Sequence, residues 1–276
     1  MNPLIAIAFI GGLSLILALI LAIANSKLKV FEDPRIGKVE EMLPGANCGA
    51  CGQPGCRAFA EDVIEGNSQP SACTVGGPDT ATGVAKYLGI DPGSSIRKVA
   101  RLLCAGGTDV AVKSADYAGF ESCRGAAAVS GGPKACTYGC IGLADCEVVC
   151  DFDAIQMSPT GLPFVNASKC TACGDCVDVC PKNLFELIPI NQHLLVQCKS
   201  ALEGDEILEM CEVACTACTR CAADAPEGLI EMKNNLPVIN PEKIKLETDI
   251  ATLRCPTGAI TWVEEQQFSA KEEKIV

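Results

Sequence analysis

The stretch Cys170-Thr-Ala-Cys173-Gly-Asp-Cys176-Val-Asp-Val-Cys180-Pro181 decides how the middle of this chain folds. Its first three cysteines lie on one short loop, so their thiolates can cap one face of an iron–sulfur cubane. The fourth corner of that cubane must then come from elsewhere in the fold. Zinc sites usually use two separated cysteine pairs, so this run predicts a [4Fe-4S] cluster and not zinc.

The run has the spacing found in bacterial two-cluster ferredoxins, in which the fourth cysteine binds the other cluster. A looser upstream set supplies the partner half: Cys136, Cys140, Cys146 and Cys150. Crossing the fourth ligands predicts one cluster on Cys136, Cys140, Cys146 and Cys180. It predicts a second on Cys150, Cys170, Cys173 and Cys176.

Short strands are predicted around these loops. Residues 154–158 and 162–165 flank Pro159-Thr-Gly161 and indicate a hairpin, and residues 184–188 begin a matching strand in the second half. A turn is expected beside His193. The pattern is that of a pseudo-symmetric α+β ferredoxin.

A second run downstream has lost part of its cysteine set. Cys215, Cys218 and Cys221 repeat the spacing, but Ala225 stands where the fourth cysteine would be. Residues 236–244 repeat residues 162–170, and Ile244 replaces the first cysteine of the missing loop. Both losses would affect the same cluster. We therefore expect one cluster here, on Cys215, Cys218, Cys221 and Cys255, with Ile244 and its neighbours filling the other site.

Near the N-terminus, Cys48, Cys51 and Cys56 lie in a glycine-rich stretch, and Cys73 follows after a helix predicted for residues 57–65. Glycines let the backbone fold tightly around a compact group and leave N–H groups free to point at sulfur. Four thiolates suit zinc or a cubane. The ferredoxin-like runs downstream favour the cubane.

Sixteen of the 20 cysteines are then assigned, as four [4Fe-4S] clusters. The other four are Cys104, Cys123, Cys198 and Cys211. We interpret them as small buried apolar side chains, with Cys211 an alternative to Cys215 as a ligand. A disulfide framework would need an oxidising compartment, and the tight Cys-x-x-Cys spacing serves metal better.

The first residues predict a membrane anchor. No charged side chain occurs from Met1 to Ser26, and the apolar run from Leu4 to Ala24 would span about 30 Å as a helix. The alternative is a cleaved signal peptide, since residues 22–24 resemble a cleavage site. Against it, the segment has no positive n-region and exceeds a typical h-region.

The charges after the span predict its orientation. They are Lys27, Lys29, Arg35 and Lys38. By the positive-inside rule, the large C-terminal part faces the cytoplasm, so the chain is a single-pass protein of the cytoplasmic membrane. That compartment is reducing, which favours thiolate–metal ligation over disulfides.

Composition excludes several functions. The net charge of −12 argues against nucleic-acid binding. Aromatic residues are only 4% of the chain, so small modules held by ligation are expected in place of one large core. His193 is the only histidine, and no dinucleotide or phosphate-binding glycine motif occurs. We predict no catalytic residue.

The predicted fold class is α+β. It comprises an N-terminal single transmembrane helix, a small four-cysteine iron–sulfur domain and two bacterial-ferredoxin-like domains. The boundaries are 1–26 for the anchor, 27–100 for the four-cysteine domain, 101–133 for a linker region, 134–197 for the two-cluster domain and 198–276 for the degenerate one.

These features in this order resemble one family, the B subunits of Rnf-type electron-transport complexes. The most specific pieces are residues 32–35, Asn47-Cys-Gly-Ala-Cys-Gly-Gln-Pro-Gly-Cys56 and Gly132-Pro-Lys-Ala-Cys-Thr-Tyr-Gly-Cys140. Such complexes couple ferredoxin oxidation and NAD reduction to ion translocation. The resemblance implies a relay of electrons from soluble ferredoxin toward the other subunits, which hold the flavins and the nicotinamide site. Some members carry two clusters in the C-terminal ferredoxin, and this chain departs from them there.

Two alternatives stay open. A polyferredoxin subunit of another membrane reductase or hydrogenase complex would carry the same clusters and differ in its partners. A zinc-stabilised interaction scaffold would be colourless and redox-silent. In every case we expect the metal-free chain to be largely unfolded, since ligation supplies folding energy in small cores.

Overall fold

A computed structural model describes residues 3–27, 32–264 and 266–268. Helix α1, Pro3–Lys27, contains an unburied segment, Phe9–Lys27, which is the one helical segment in the described part of the chain that is long and apolar enough to cross a membrane. Leucine and isoleucine side chains are exposed along the segment Phe9–Lys27. Met1 and Asn2 of the predicted anchor, and Lys29 of the predicted charge pattern, lie outside the described residues.

Three helices form a compact unit after α1, here called the helical module (residues 34–88). They are α2, Pro34–Met42; α3, Cys56–Glu65; and α4, Gly77–Leu88. Asp33 caps α2 by accepting the backbone N–H of Arg35 at 2.9 Å, and Pro34 fits the first turn because it has no N–H to satisfy. The helix predicted at residues 57–65 is confirmed as α3.

The helical module buries a small apolar core. Val39 of α2, Phe59 and Val63 of α3 and Val84 of α4 are all at most 2% exposed and contact one another. Cys51, Cys56 and Cys73 pack against the same cluster. The cysteine loop is therefore attached to the core through its own side chains.

The central module (residues 98–189) contains two antiparallel strand pairs. Its strands are β1, Lys98–Leu102; β2, Ile155–Met157; β3, Pro163–Val165; and β4, Phe185–Pro189. β1 pairs with β4, and β2 pairs with β3. Ser158 N–H donates to Leu162 O at 2.8 Å in the β2–β3 turn, which confirms the predicted hairpin.

The C-terminal module (residues 194–262) repeats this arrangement. Its strands are β5, Leu194–Val196; β6, Ile230–Lys233; β7, Leu236–Ile239; and β8, Ile260–Trp262. The outer pair is β5 with β8, and the inner hairpin is β6 with β7. In each module the first and last strands bring the chain ends together around the cysteine loops.

Strand pairing differs from the sequence expectation at two predicted boundaries. β1 crosses the boundary at residues 100/101 and pairs with β4, so the central module begins before the predicted linker. β5 precedes the boundary at 197/198 and pairs with β8. The reason is that each pairing joins segments far apart in sequence, which local patterns do not reveal.

His193 does not lie in a hairpin between β4 and β5, because those strands pair elsewhere. Its ring stacks on Trp262 with centroids 4.9 Å apart, and its backbone N–H donates to Glu247 Oε2 at 2.7 Å. The contacts of His193 in this structure hold the C-terminal module together.

The remaining helices are short. They are α5, Cys123–Ala127; α6, Asp145–Val148; α7, Asp175–Val179; α8, Arg220–Asp224; and α9, Ile250–Leu253. Buried cysteines belong to the cores they enclose, among them Cys146 and Cys176 in the central module and Cys221 in the C-terminal module. Thiols therefore occupy positions that large apolar side chains fill in an ordinary domain.

Removing iron should make the central and C-terminal modules protease-sensitive, because their cores are small and lined with thiols that ligation would hold in place. Limited proteolysis before and after anaerobic chelation measures this. Reconstitution with iron and sulfide should restore resistance. Unchanged resistance in the iron-free chain would contradict the expectation.

Candidate iron–sulfur sites

Four cavities in the described structure are each lined by four cysteines. Their void volumes, counting the part open to solvent, are about 330, 330, 350 and 370 Å³. The four cavities are thus alike in size and in having four thiols in their walls. A cubane bound by four thiolates needs such a shape, with one sulfur facing each iron.

The cavity of the helical module is lined by Cys48, Cys51, Cys56 and Cys73, the set expected from the glycine-rich loop. Asn47 Oδ1 accepts the N–H of Cys56 at 2.8 Å and so ties the two ends of the loop together. Thr74 also lines this cavity, and its buried hydroxyl has no hydrogen-bond partner in the described protein. A sulfide or thiolate in the cavity would accept a hydrogen bond from that hydroxyl.

One central cavity is lined by Cys150, Cys170, Cys173 and Cys176, the set expected from the crossed ferredoxin pattern. Backbone N–H groups point at these sulfurs: Ala100 N–H donates to Cys170 at 3.5 Å, and Ala154 N–H to Cys150 at 3.4 Å. The buried hydroxyl of Thr171 lines the same cavity without a partner in the described protein. The donors present fit an anionic sulfur-rich group.

The cavity of the C-terminal module is lined by Cys215, Cys218, Cys221 and Cys255. Burial raises the pKa of the Cys255 thiol, but hydrogen bonds from backbone groups of Ile260 and Thr257 contribute to a larger decrease. The net pKa is therefore below the ordinary value. The thiolate form is thereby favoured. Ile244 is half-buried in a 3-10 turn, Pro241–Leu246, near the position expected for the lost loop.

The cysteine loops share an unusual backbone. Equivalent positions have positive φ in each: Gly142 and Ala144, Ala172 and Gly174, Ala217 and Thr219. The left-handed conformation costs a non-glycine residue about 1–2 kcal/mol. Such turns direct successive N–H groups toward one point and form an anion-binding concavity. The strain is consistent with loops shaped around a negatively charged group.

The sequence pattern groups Cys140, Cys146 and Cys180 with Cys136, and the structure brings together only part of that set. The sulfur of Cys146 lies near those of Cys123, Cys176 and Cys180, and it also interacts with that of Cys140. Cys123 is half-buried, and its sulfur accepts backbone hydrogen bonds from Asp145 and Leu143. Ligand spacing does not reveal this contact, because Cys123 lies outside the recognised runs.

Cys136 lines a different cavity, together with Cys104, Cys198 and Cys211. Cys136 therefore shares a cavity with three thiols outside its predicted set, and its grouping with Cys140, Cys146 and Cys180 stays a prediction. Cys104 and Cys211 are buried, as expected for small apolar side chains, yet they line the cavity. Cys215 lines the C-terminal cavity, whereas Cys211, its predicted alternative, lines this one.

Burial raises the pKa of several thiols in the central module. It raises the pKa of Cys140, Cys146 and Cys176 to about 12 each, so all three are protonated at neutral pH without a bound cation. Ligation must replace these protons. A bound iron–sulfur group would supply the positive iron ions that hold the sulfurs as thiolates and would allow one-electron transfer.

Two arginines support the Cys170 loop. Arg97 Nη2 donates to the carbonyls of Ser168 and Cys170 at 3.0 and 3.2 Å. Arg101 is 1% exposed, burial lowers the pKa of its guanidinium, and the nearby Cys170 thiol raises it. The arrangement places a buried positive charge beside one candidate ligand.

Cysteine loops with inward N–H groups, mounted on paired strands and short helices, define an iron–sulfur protein with several centres. Family models agree: one described as a putative Fe-S cluster matches residues 43–75, and a 4Fe-4S binding domain matches residues 163–186. The chain belongs to the family of B subunits of Rnf-type ion-translocating oxidoreductase complexes.

Three relatives show this membership, each of them the B subunit of its complex. The chain is 40% identical to that of the Na(+)-translocating ferredoxin:NAD(+) oxidoreductase complex of Acetobacterium woodii, over 94% of this chain and 77% of the relative. It is 37% identical to that of the proton-translocating ferredoxin:NAD(+) oxidoreductase complex of Clostridium ljungdahlii, over 94% and 93%. It is 35% identical to that of the ion-translocating oxidoreductase complex of Methanosarcina acetivorans, over 86% and 90%.

Replacing Arg101 with Gln should lower the reduction potential of the cluster expected at Cys150, Cys170, Cys173 and Cys176. Loss of a nearby positive charge destabilises the more negative reduced state, by about 50 mV for a one-electron couple. The Arg101→Lys variant keeps the charge, so its reduction potential should stay close to that of the parent protein. A potentiometric EPR titration measures both, and an unchanged potential in an iron-replete Arg101→Gln protein would contradict the role of the charge.

Proposed function

We propose that this chain is a membrane-anchored electron-transfer subunit of an Rnf-type ion-translocating ferredoxin:NAD+ oxidoreductase complex. Its clusters relay electrons from reduced soluble ferredoxin toward the other subunits. The observation that carries the proposal is the recurrence of four-cysteine cavities with backbone N–H groups aimed at the sulfurs. Family membership supports the complex to which the relay belongs.

The clusters are [4Fe-4S] centres, and the sequence pattern predicts four of them. Cavities lined by the same four cysteines support three of the sets: Cys48, Cys51, Cys56 and Cys73; Cys150, Cys170, Cys173 and Cys176; Cys215, Cys218, Cys221 and Cys255. A further centre uses Cys140, Cys146 and Cys180, and its fourth ligand is considered in the next subsection.

The geometry favours cubanes over zinc. A tetrahedral zinc ion holds four sulfurs at about 2.3 Å and so gathers them tightly. In three cavities the four sulfurs instead line a void of about 330 to 350 Å³. Sulfurs spread around a cavity suit a group that offers each one its own iron.

The chain performs no substrate chemistry of its own and contributes as the electron-relay part of a translocase. Its residues hold the clusters, separate them and set their potentials through N–H groups, burial and charge. The lone histidine is engaged in packing against Trp262. The relatives include both a sodium- and a proton-translocating complex, so similarity does not select the ion.

Helix α1 anchors the chain as a single span in the cytoplasmic membrane, with the modules on the cytoplasmic side. Lys27 at its end, and Arg35 and Lys38 in α2, support that orientation. Only six residues separate the end of α1 from α2, so the helical module stays close to the bilayer. In this proposal its cluster is the one nearest the membrane partners.

A polyferredoxin subunit of a different reductase or hydrogenase complex is the second candidate, and the same cavities would serve it. Affinity purification from membranes separates the two. Rnf-type partners with flavin support the first candidate, and hydrogenase or quinone-linked partners support the second.

The purified full chain, prepared anaerobically in detergent, should contain iron and acid-labile sulfide in equal amounts. It should give EPR signals on reduction and accept electrons from reduced ferredoxin. Zinc with little sulfide would contradict the electron-transfer function and support a scaffold.

Deleting residues 1–27 should move the chain from the membrane to the soluble fraction without changing its iron-to-protein ratio, because the cysteine modules lie beyond the span. Membrane fractionation with iron analysis tests this. Iron loss on deletion, or retention at the membrane in a strain without the partner subunits, would contradict the anchor role.

A further inference from the structure

The central module repeats itself at an interval of 30 residues. Cys170, Cys173, Cys176 and Cys180 correspond to positions 140, 143, 146 and 150. Helices α6 and α7 begin at equivalent residues, and Ala154 and Leu184 donate equivalent N–H groups at 3.4 Å to Cys150 and Cys180. Three of the four earlier positions are cysteine. The fourth is Leu143.

The sulfur of Cys123 occupies the place that a cysteine at position 143 would fill. Cys173 accepts a backbone hydrogen bond from Asp175, and Cys123 accepts one from Asp145, which is the residue equivalent to Asp175. Cys123 also accepts from Leu143 itself. Ser122 caps the short helix that carries Cys123, with its Oγ accepting Gly125 N–H at 3.0 Å, so the side chain is held in position.

Cys123 therefore completes the set of Cys140, Cys146 and Cys180. Cys136 is then not needed as a ligand in that set. The cavity that Cys136 lines with Cys104, Cys198 and Cys211 is as large as the other three, at about 370 Å³. Each module gives two of these cysteines. The cavity thus lies between the central and C-terminal modules.

The two cysteines that the central module gives to this cavity lie at the same positions in its repeat as the two from the C-terminal module. Cys104 follows the end of β1 by two residues, and Cys198 follows the end of β5 by two. Cys136 precedes Cys140 by four residues, as Cys211 precedes Cys215. A pattern kept in both repeats indicates a shared role for these thiols and not chance burial of four apolar side chains.

Local geometry supports ligation at this cavity. Cys136, Cys198 and Cys211 each accept the backbone N–H two residues further on, the same contact that Cys140 and Cys215 make. A Cβ on Gly106 would lie 3.0 Å from Cys211 Sγ and 3.7 Å from Cys104 Sγ, so the absence of a side chain there keeps the cavity open.

The charge at the cavity also fits an anionic cluster. Lys134 lines it and donates to the carbonyl of Gly106, so a positive charge lies at the cavity wall. Residues 110–112 hydrogen-bond to both sides: Val112 N–H donates to Met210 O, and Ala135 N–H donates to Val112 O, each at 2.9 Å. This segment fixes Cys136 and Cys211 relative to each other.

We propose that Cys104, Cys136, Cys198 and Cys211 bind a fifth [4Fe-4S] cluster between the two modules, and that Cys123 with Cys140, Cys146 and Cys180 binds the fourth. This rests on the proposed function for the nature of the clusters. All 20 cysteines then serve as ligands, in five sets of four.

The ligands of the fifth cluster contact ligand residues of two other clusters, one in the central module and one in the C-terminal module. Cys140 N–H donates to Cys104 Sγ at 3.4 Å, and the Cys198 sulfur accepts a backbone hydrogen bond from Cys215. Its ligands therefore contact ligand residues of the central and C-terminal clusters directly. The fifth cluster is the step through which an electron passes between the modules.

Iron and sulfide analysis of the full chain, purified anaerobically from cells, tests the proposal first. It predicts about 20 iron and 20 sulfide per chain. Cys136→Ala and Cys198→Ala should each lose about four iron and the same EPR signal, and the double variant should lose no more. Val213→Ala, which alters the same cavity wall without removing a thiol, should keep the full count.

Cys123→Ala should lose about four iron from a different centre, and Cys123→Ala/Leu143→Cys should regain them, because position 143 supplies the equivalent sulfur. This rescue separates lost ligation from general misfolding. About 16 iron, unchanged in Cys104→Ala, Cys123→Ala and Cys198→Ala, would overturn the fifth cluster while leaving the electron-transfer function intact. A parent chain with little iron would instead overturn the proposed function.

Discussion

Hydrogen bonds from the backbone to cysteine sulfur are the interaction on which the described modules depend. The chain has few aromatic residues, and its buried clusters contain thiols where larger side chains would normally lie. Turns in the left-handed conformation at Ala172 and Ala217 aim N–H groups into the cysteine loops. Those turns cost free energy, and ligation of an iron–sulfur group offsets that cost. The same contacts that hold the fold also stabilise thiolate ligands and so tune a redox centre.

Repetition of one module explains the rest of the architecture. In both the central and C-terminal modules an outer strand pair brings the ends together, and an inner hairpin lies between the cysteine loops. The copies have diverged by losing ligands in different ways. Ala225 and Ile244 stand at two ligand positions of the C-terminal repeat, and Leu143 stands at one of the central repeat, where we propose that Cys123 supplies the thiol. The four-thiol cavity between the modules gives a direct link from one copy to the other.

Much of this could be predicted from the sequence, because ligand spacing is a local property. The three sets at Cys48, Cys170 and Cys215 follow from short Cys-x-x-Cys loops, and the hairpins follow from turn residues. Cys123 and the set containing Cys104 could not be placed in that way, since their neighbours are distant in sequence: Cys104 and Cys198 follow strands of the β1–β4 and β5–β8 pairs, and Cys123 contacts residues 143 and 145. One signal is present in the sequence: aligning residues 140–150 with 170–180 shows that Leu143 replaces a cysteine and that another thiol is needed.

Mössbauer spectroscopy of the ⁵⁷Fe-enriched full chain tests the central claim, that cysteine thiolates hold cubane clusters throughout these modules. The account predicts that nearly all the iron has the isomer shift of tetrahedral sulfur coordination, with the delocalised mixed-valence pairs of oxidised [4Fe-4S] clusters. Iron in mononuclear or oxygen-coordinated sites, in a chain that keeps its protease resistance, would contradict it.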